Sequence, residues 1–239
     1  MDPMPGRCFL CGATLPRAQM QAHLTACRPQ QEGTTPLFLL FVQDAYFPET
    51  YWLFLEAAQE APLAALDDFL RRLWVDCCGH YSQFVIEGQT YGRRPKASPV
   101  DLVLDEYAHL LPMEQPLRAL LHPGQQVAYT YDDAWFTELH LQVLASYTGQ
   151  PAEGGVRLLA RNYKPRRTCR QCQREATWLF TNTWPLEPYC TEHAQQHPAW
   201  GQPDAFLPYL NSPRVGVCSY RGPQERDLLF EVYPPDDEA

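Results

Sequence analysis

Apolar positions fall into blocks whose spacing changes along the chain. Residues 63–74 carry Leu63, Leu66, Phe69, Leu70, Leu73 and Trp74 at intervals of three or four, with Asp67, Asp68, Arg71 and Arg72 between them. That pattern predicts an amphipathic helix with one buried stripe, opened by Pro62, where a missing N–H costs nothing. Continuous apolar runs at 37–42 and 51–55 have the length of strands, and another strand restarts at 84–86. Alternation at 127–131 and 138–145, with a run at 156–160, predicts three more strands, while 102–111 and 117–121 predict short helices. Strands outnumber helices without a regular βαβ rhythm. The predicted fold class is α+β, a mainly antiparallel sheet with packed helices, flanked by two small zinc-binding modules.

The polar stretches divide this pattern. Residues 29–36 (PQQEGTTP) read as a linker, 93–99 as a solvated loop, and the acidic end from 234 as disordered. The expected organisation is an N-terminal finger at 1–30, an α+β domain at 36–162, a second metal module at 163–222 and a tail at 223–239. Apolar residues make up 45% of the chain and aromatics 13%, enough for a sizeable core. No run approaches the ~18 apolar residues of a membrane span, and no basic-then-apolar leader precedes Cys8. The expectation is a cytoplasmic protein with no membrane partner.

Cysteine spacing supplies the chemistry. Cys8-x2-Cys11 is followed by His23-x3-Cys27, and Cys169-x2-Cys172 by Cys190-x2-His193. Each close pair offers two ligands from one short backbone element, as tetrahedral zinc requires. His23 and Cys27 share a helix face with Met20 and Leu24, and the second set has the form of a zinc ribbon or treble clef. His197 is a possible substitute for His193, but the closer spacing favours His193. Two zinc ions are therefore expected. Both sets look complete with four protein ligands, the closed form of structural zinc rather than the open form of a catalytic one.

Cys77, Cys78 and His80 around Gly79, together with Cys218, lie outside these sets. They permit three readings: small buried thiols, an activated cysteine–histidine pair, or a third metal site. Sequence alone does not separate these. The net charge of −9 opposes general nucleic-acid binding, but Arg157, Arg161, Lys164, Arg166, Arg167, Arg170 and Arg174 occur with no acid among them. That segment reads as a docking strip for phosphate or an acidic partner, or as a solvated arm. Asn211 and Pro213 predict a turn, and Arg214 a buried clamp or a ligand contact.

Two resemblances follow from these residues. Leu66-Asp67-x-Phe69-Leu70-Arg71, then Trp74-x-x-Cys77-Cys78-Gly79-His80, resembles the plasmid pRiA4b ORF-three-like family. Tyr131-Asp132, Thr137-Glu138-Leu139, Ala160-Arg161-Asn162, Pro165, and Asn211-Ser-Pro-Arg214 with Gly216-x-Cys218 carry the resemblance across 36–222. It implies an architecture and almost no chemistry. Some relatives are loosely labelled as resolvase-like passengers of insertion sequences, yet no recombinase constellation is visible here. This chain departs from the family's glycine turn, placing Asp133, Ala134, Trp135 and Phe136 there.

The first module is similar to the ubiquitin-binding zinc finger of DNA-repair ligases, through Cys8-x2-Cys11-Gly12, Leu15-Pro16 and His23-Leu24 ending in Cys27. Thr25 replaces the acid usual in that family, and a ubiquitin-like partner would use the helix face around Met20 and Leu24. Together the sequence predicts a zinc-stabilised, non-enzymatic protein that binds another protein through its finger and basic strip. The alternatives are a nucleic-acid-binding protein linked to mobile elements or DNA repair, and a Cys/His-dependent enzyme.

Overall fold

The apolar run at 37–42 forms the heart of β3 (Thr35–Asp44), paired on one side with β4 (Trp52–Ala58) and on the other with β8 (Thr137–Gly149). A computed structural model describes residues 4–27, 33–94, 107–132 and 134–223. Around β3 are added β1 (Gly6–Cys8), β2 (Thr14–Leu15), β5 (Ser82–Ile86), β6 (Gln89–Arg93), β7 (Gln126–Tyr131) and β9 (Val156–Asn162). The resulting nine-stranded sheet has the order β2-β1-β9-β4-β3-β8-β7-β5-β6, with every neighbouring pair antiparallel. The α+β class holds, with few helices.

Alternation along each strand builds two cores, one on each face of the sheet. On the first face, α2 (Leu63–Leu70) places Leu63, Leu66, Phe69 and Leu70 against Leu40, Val42, Leu53, Leu55, Phe84 and Tyr129. On the second, α1 (Arg17–Cys27) places Met20 and Leu24 against Leu39, Trp52, Phe54 and Leu159. The expected finger at 1–30 is thus continuous with the large sheet, since β1 pairs along β9 from Gly6↔Asn162 to Cys8↔Ala160.

The polar side of the central helix is only partly a solvent face, with Asp68 and Arg72 exposed. Asp67 and Arg71 are buried. Asp67 accepts from the Tyr129 hydroxyl at 3.0 Å and pairs with Arg93 at 3.0 Å, while Arg71 donates to Ser82 Oγ and to the His80 carbonyl. The helix widens into a π turn over Arg71–Val75 and stops at the extended Asp76, a break of the kind often found beside functional sites. The helix expected at 102–111 lies partly outside the described residues. Its described end is a turn, followed by a bridge from Leu111 to Tyr91. The helix at 117–121 is one turn, α3 (Leu117–Leu120). Residues 28–32, 95–106 and 224–239, which include half of the expected linker and most of the expected loop and tail, also fall outside the described residues.

A separate three-stranded sheet, β11-β10-β12, consists of β10 (Trp178–Phe180), β11 (Glu187–Tyr189) and β12 (Phe206–Pro208), with α4 (Thr191–Gln196) beside it. Tyr189, Ala194, Ala199 and Phe206 form its small core, and Trp178, Phe180 and Trp200 pack around them. No helix among the described residues is long and apolar enough to cross a membrane.

Candidate metal centres

The first cluster is assembled by a tight knuckle and a helix. The Gly12 amide donates to the Cys8 carbonyl at 2.8 Å, and Gly12 has a φ of 81°, a conformation open to glycine at little cost. This turns Cys8 and Cys11 toward one point, while His23 and Cys27, four residues apart on α1, face the same point. Cys11 Sγ lies 3.3 Å from His23 Nε2. The Ala13 amide and neighbouring donors lower the Cys11 thiol to about 7, whereas desolvation and adjacent thiols raise Cys27 to about 12.

The C-terminal cluster repeats this chemistry on a different frame. Cys169 and Cys172 form a knuckle in which the Gln171 amide points at Cys169 Sγ, 3.4 Å away. Cys190 caps α4 and His193 lies one turn later. His193 Nδ1 is 3.5 Å from Cys169 Sγ and 3.4 Å from Cys190 Sγ, and the Cys172 and Cys190 sulfurs are 3.9 Å apart. Burial raises the Cys169 thiol, but amides of Cys190 and Gln171 outweigh it and bring it down to about 6. His197 is not a donor in this set. Its ring packs against Phe180, Tyr189 and Phe206.

A third cluster joins residues far apart in the chain. The donor atoms of Cys77, Cys78, His80 and Cys218 all lie within 4.8 Å of one another, as they do in the other two clusters. Tetrahedral zinc with ordinary Zn–S and Zn–N bonds has S···S edges of about 3.8 Å and S···N edges of about 3.6 Å. The C-terminal cluster matches these values closely. In the third, the Cys77–Cys78 and Cys78–Cys218 sulfur edges of 3.7 and 3.9 Å match. His80 Nε2 is nearer, at 2.9 Å from Cys78 and 3.1 Å from Cys218, so a bound ion would move the ring outward by a few tenths of an ångström. All three donor sets could hold a metal ion, and each consists of three thiols and one imidazole.

The seven cations at 157–174 do not form one exposed strip. Arg161 and Lys164 are buried, at 1% and 3% exposure. Arg161 donates to the Asn211 carbonyl, and Lys164 lies 5.0 Å from the centre of the Tyr209 ring. Arg157 pairs with Glu56, Arg170 with Glu187 and Arg174 with Glu192. Arg166 and Arg167 are exposed, with Arg167 over the Tyr209 ring at 5.4 Å. Arg161 and Lys164, at the exit of β9, hold the C-terminal segment to the core. The acids that Arg157, Arg170 and Arg174 meet are distant in sequence, which is why a local charge count misses them. Met20 and Leu24 are likewise fully buried, so the helix face expected to receive a ubiquitin-like partner is already covered by the sheet.

Arg214 is a buried clamp. It is fully enclosed, pairs with Asp132, donates to the Trp135 carbonyl and lies 5.1 Å from the centre of the Tyr131 ring. Asn211 exchanges hydrogen bonds with Asn162, Trp74 donates to the Asn211 carbonyl, and Ser212 donates to the Trp74 carbonyl. Sequence reasoning did not assign Tyr131, Asp132 and Asp76 to a site. The Tyr-Asp pair at the end of β7, opposite a distant Arg, was the available signal.

No family model matches the chain, and no curated protein matches it. The chain is similar to a protein of unknown function from Methanosarcina mazei Go1 whose crystal structure is solved, with a TM-score of 0.38 and 11% identity. That match covers 49% of this chain and 64% of the other.

Proposed function

We propose that this is a zinc-stabilised, non-enzymatic protein whose work is to bind another protein. The supporting observation is that the N- and C-terminal clusters each bring four protein donors to one point, leaving no open coordination position. Zinc is the metal this donor chemistry fits, through thiolate-rich sets on knuckle and helix. In this reading Cys8, Cys11, His23 and Cys27 hold one ion, and Cys169, Cys172, Cys190 and His193 a second.

The binding surface we assign is neither the finger helix nor the basic segment. Tyr46, Phe47, Trp135 and Phe136 are 54–69% exposed, and the Tyr46 and Phe136 rings lie 6.4 Å apart. They are held in place from beneath. Asp44 accepts from the amides of Tyr46 and Phe47, Tyr46 donates to Glu138, and Arg214 grips the Trp135 carbonyl. Rigid exposed aromatics are what protein interfaces favour, and the acids beside them disfavour phosphate. The plasmid pRiA4b ORF-three-like resemblance belongs to this proposal. It is supported by the meeting of its distant motifs, Trp74, Cys77, Tyr131–Asp132 and Asn211–Arg214, in one place.

The test uses the purified full chain. Elemental analysis should find zinc, and Phe47→Ser with Trp135→Ser should abolish co-purification of a partner without loss of metal. A partner fully retained by that double variant would overturn the surface assignment. Tight, salt-dependent binding to DNA or RNA would favour the nucleic-acid alternative.

A further inference from the structure

We propose that Cys77, Cys78, His80 and Cys218 hold a third zinc ion, which staples the C-terminal segment to the core. The chain has nine cysteines, and all nine fall into three sets of identical composition. The spacing of the terminal sets is local, but Cys218 stands 140 residues from Cys78 and still arrives with its sulfur 3.9 Å away.

The loop carrying three of the donors is fixed in advance. Asp76 accepts from the Gly79 amide at 2.9 Å and from the Tyr131 hydroxyl at 2.6 Å. The same hydroxyl oxygen lies 3.3 Å from the Cys77 amide and 3.2 Å from the His80 amide, accepting from both. Gly79 has a φ of 81°, which turns Cys78 and His80 to one side. Ligands positioned by such supporting hydrogen bonds are the mark of a metal site, because the support sets the direction of each donor.

The other side of the cluster is held as firmly. Cys218 and Ser219 both have positive φ, 47° and 57°, in a turn closed by the Tyr220 amide on the Val217 carbonyl. Such a turn suits Asn and Gly, and two ordinary residues there are strained. Arg214 anchors the turn upstream through Asp132, while Ser219 and Arg221 both bond Asp204 downstream. The strain presents Cys218 to Cys78 and His80. Arg214 also reaches Cys77 Sγ at 3.6 Å, a donor suited to a thiolate.

The same geometry argues against the other two readings of these residues, and against a disulfide. Cys78 is exposed and Cys77 and Cys218 are half-buried, so they are not small buried thiols. The Cys78–Cys218 separation is nearly twice a disulfide bond of about 2.05 Å. In a catalytic pair the supporting acid would hold the far ring nitrogen. Here Asp132 is 3.6 Å from His80 Nε2, the nitrogen that also meets both thiols.

The experiment is metal analysis of the zinc-loaded full chain, with native-state thiol alkylation mapped by mass spectrometry before and after chelation. Three zinc ions per chain are expected, with Cys77, Cys78 and Cys218 protected until the chelator is added. Cys218→Ser should lower the count to two and leave the other six cysteines protected, which separates loss of the site from loss of the fold. Two ions in the unaltered chain, with these three thiols freely alkylated or with Cys78 and Cys218 disulfide-bonded, would overturn the third site alone. A count below two would overturn the zinc reading of the terminal clusters as well.

Discussion

The two terminal clusters share their donors but not their surroundings. The N-terminal cluster has no core of its own. Its strand extends the nine-stranded sheet, and Met20 and Leu24 of its helix close over Trp52, Phe54 and Leu159. The C-terminal cluster sits in a module with its own sheet and its own aromatic core around Tyr189 and Phe206. Metal-binding energy in such small units is folding energy, and the difference lies in which structure receives it. At the N-terminus it supports one face of the main sheet. At the C-terminus it supports mainly the module itself.

The strongest way to break this comparison is to remove one ligand from each side. Cys8→Ser should loosen α1 and expose Met20 and Leu24, both fully buried. Each such side chain is worth about 1.5–3 kcal/mol, so the sheet should lose roughly 3–6 kcal/mol in chemical denaturation. Next in size is Arg214→Ala, which strands Asp132 in a buried site and should cost about 3–5 kcal/mol. Cys169→Ser should erase hydrogen-exchange protection across 178–208 yet shift the sheet's own transition by less than ~1 kcal/mol, as for a separable cooperative unit. Equal losses of sheet stability in Cys8→Ser and Cys169→Ser would mean that the two modules are coupled to the core alike.

The sheet was legible where apolar runs were long. Residues 37–42 and 156–160 carry enough buried aliphatic side chains to declare strands by themselves. The edge strand β6 was not legible, since Gln89–Arg93 has one buried residue, Tyr91, and a glycine. β1 was too short to show alternation, and its pairing with β9 is a tertiary event. The terminal donor sets were legible because each ligand pair lies within one local element. The third set depends on where the fold places Cys218, so its spacing carries no signal. Charge misled for a similar reason. Asp67, Arg71 and Arg161 look like surface residues until their partners, Tyr129, Ser82 and Asn211, arrive from other strands and loops.

The smallest expected effect sharpens the comparison at the junction between the core and the C-terminal module. Arg166→Glu with Arg167→Glu reverses two exposed charges beside Tyr209. Arg167 gives up a cation–π contact worth about 0.5–1 kcal/mol at an exposed site. Arg166, like most surface positions, should change stability by no more than about 0.5 kcal/mol. The combined loss should therefore stay near 1 kcal/mol, far below that of Arg214→Ala. The same variant measures how much of the basic segment reaches a polyanion. Each phosphate contact adds about 0.7–0.9 to the salt slope of binding, so the two exposed arginines together add at most about 1.4–1.8. A slope above about 3 for the unaltered chain on single-stranded DNA would require four or more cations at phosphate. Either exposed cations outside this segment, such as Arg7, Arg72 and Arg94, would then take part, or Arg161, Lys164 and the paired Arg157, Arg170 and Arg174 would leave their present partners and loosen the C-terminal segment from the core.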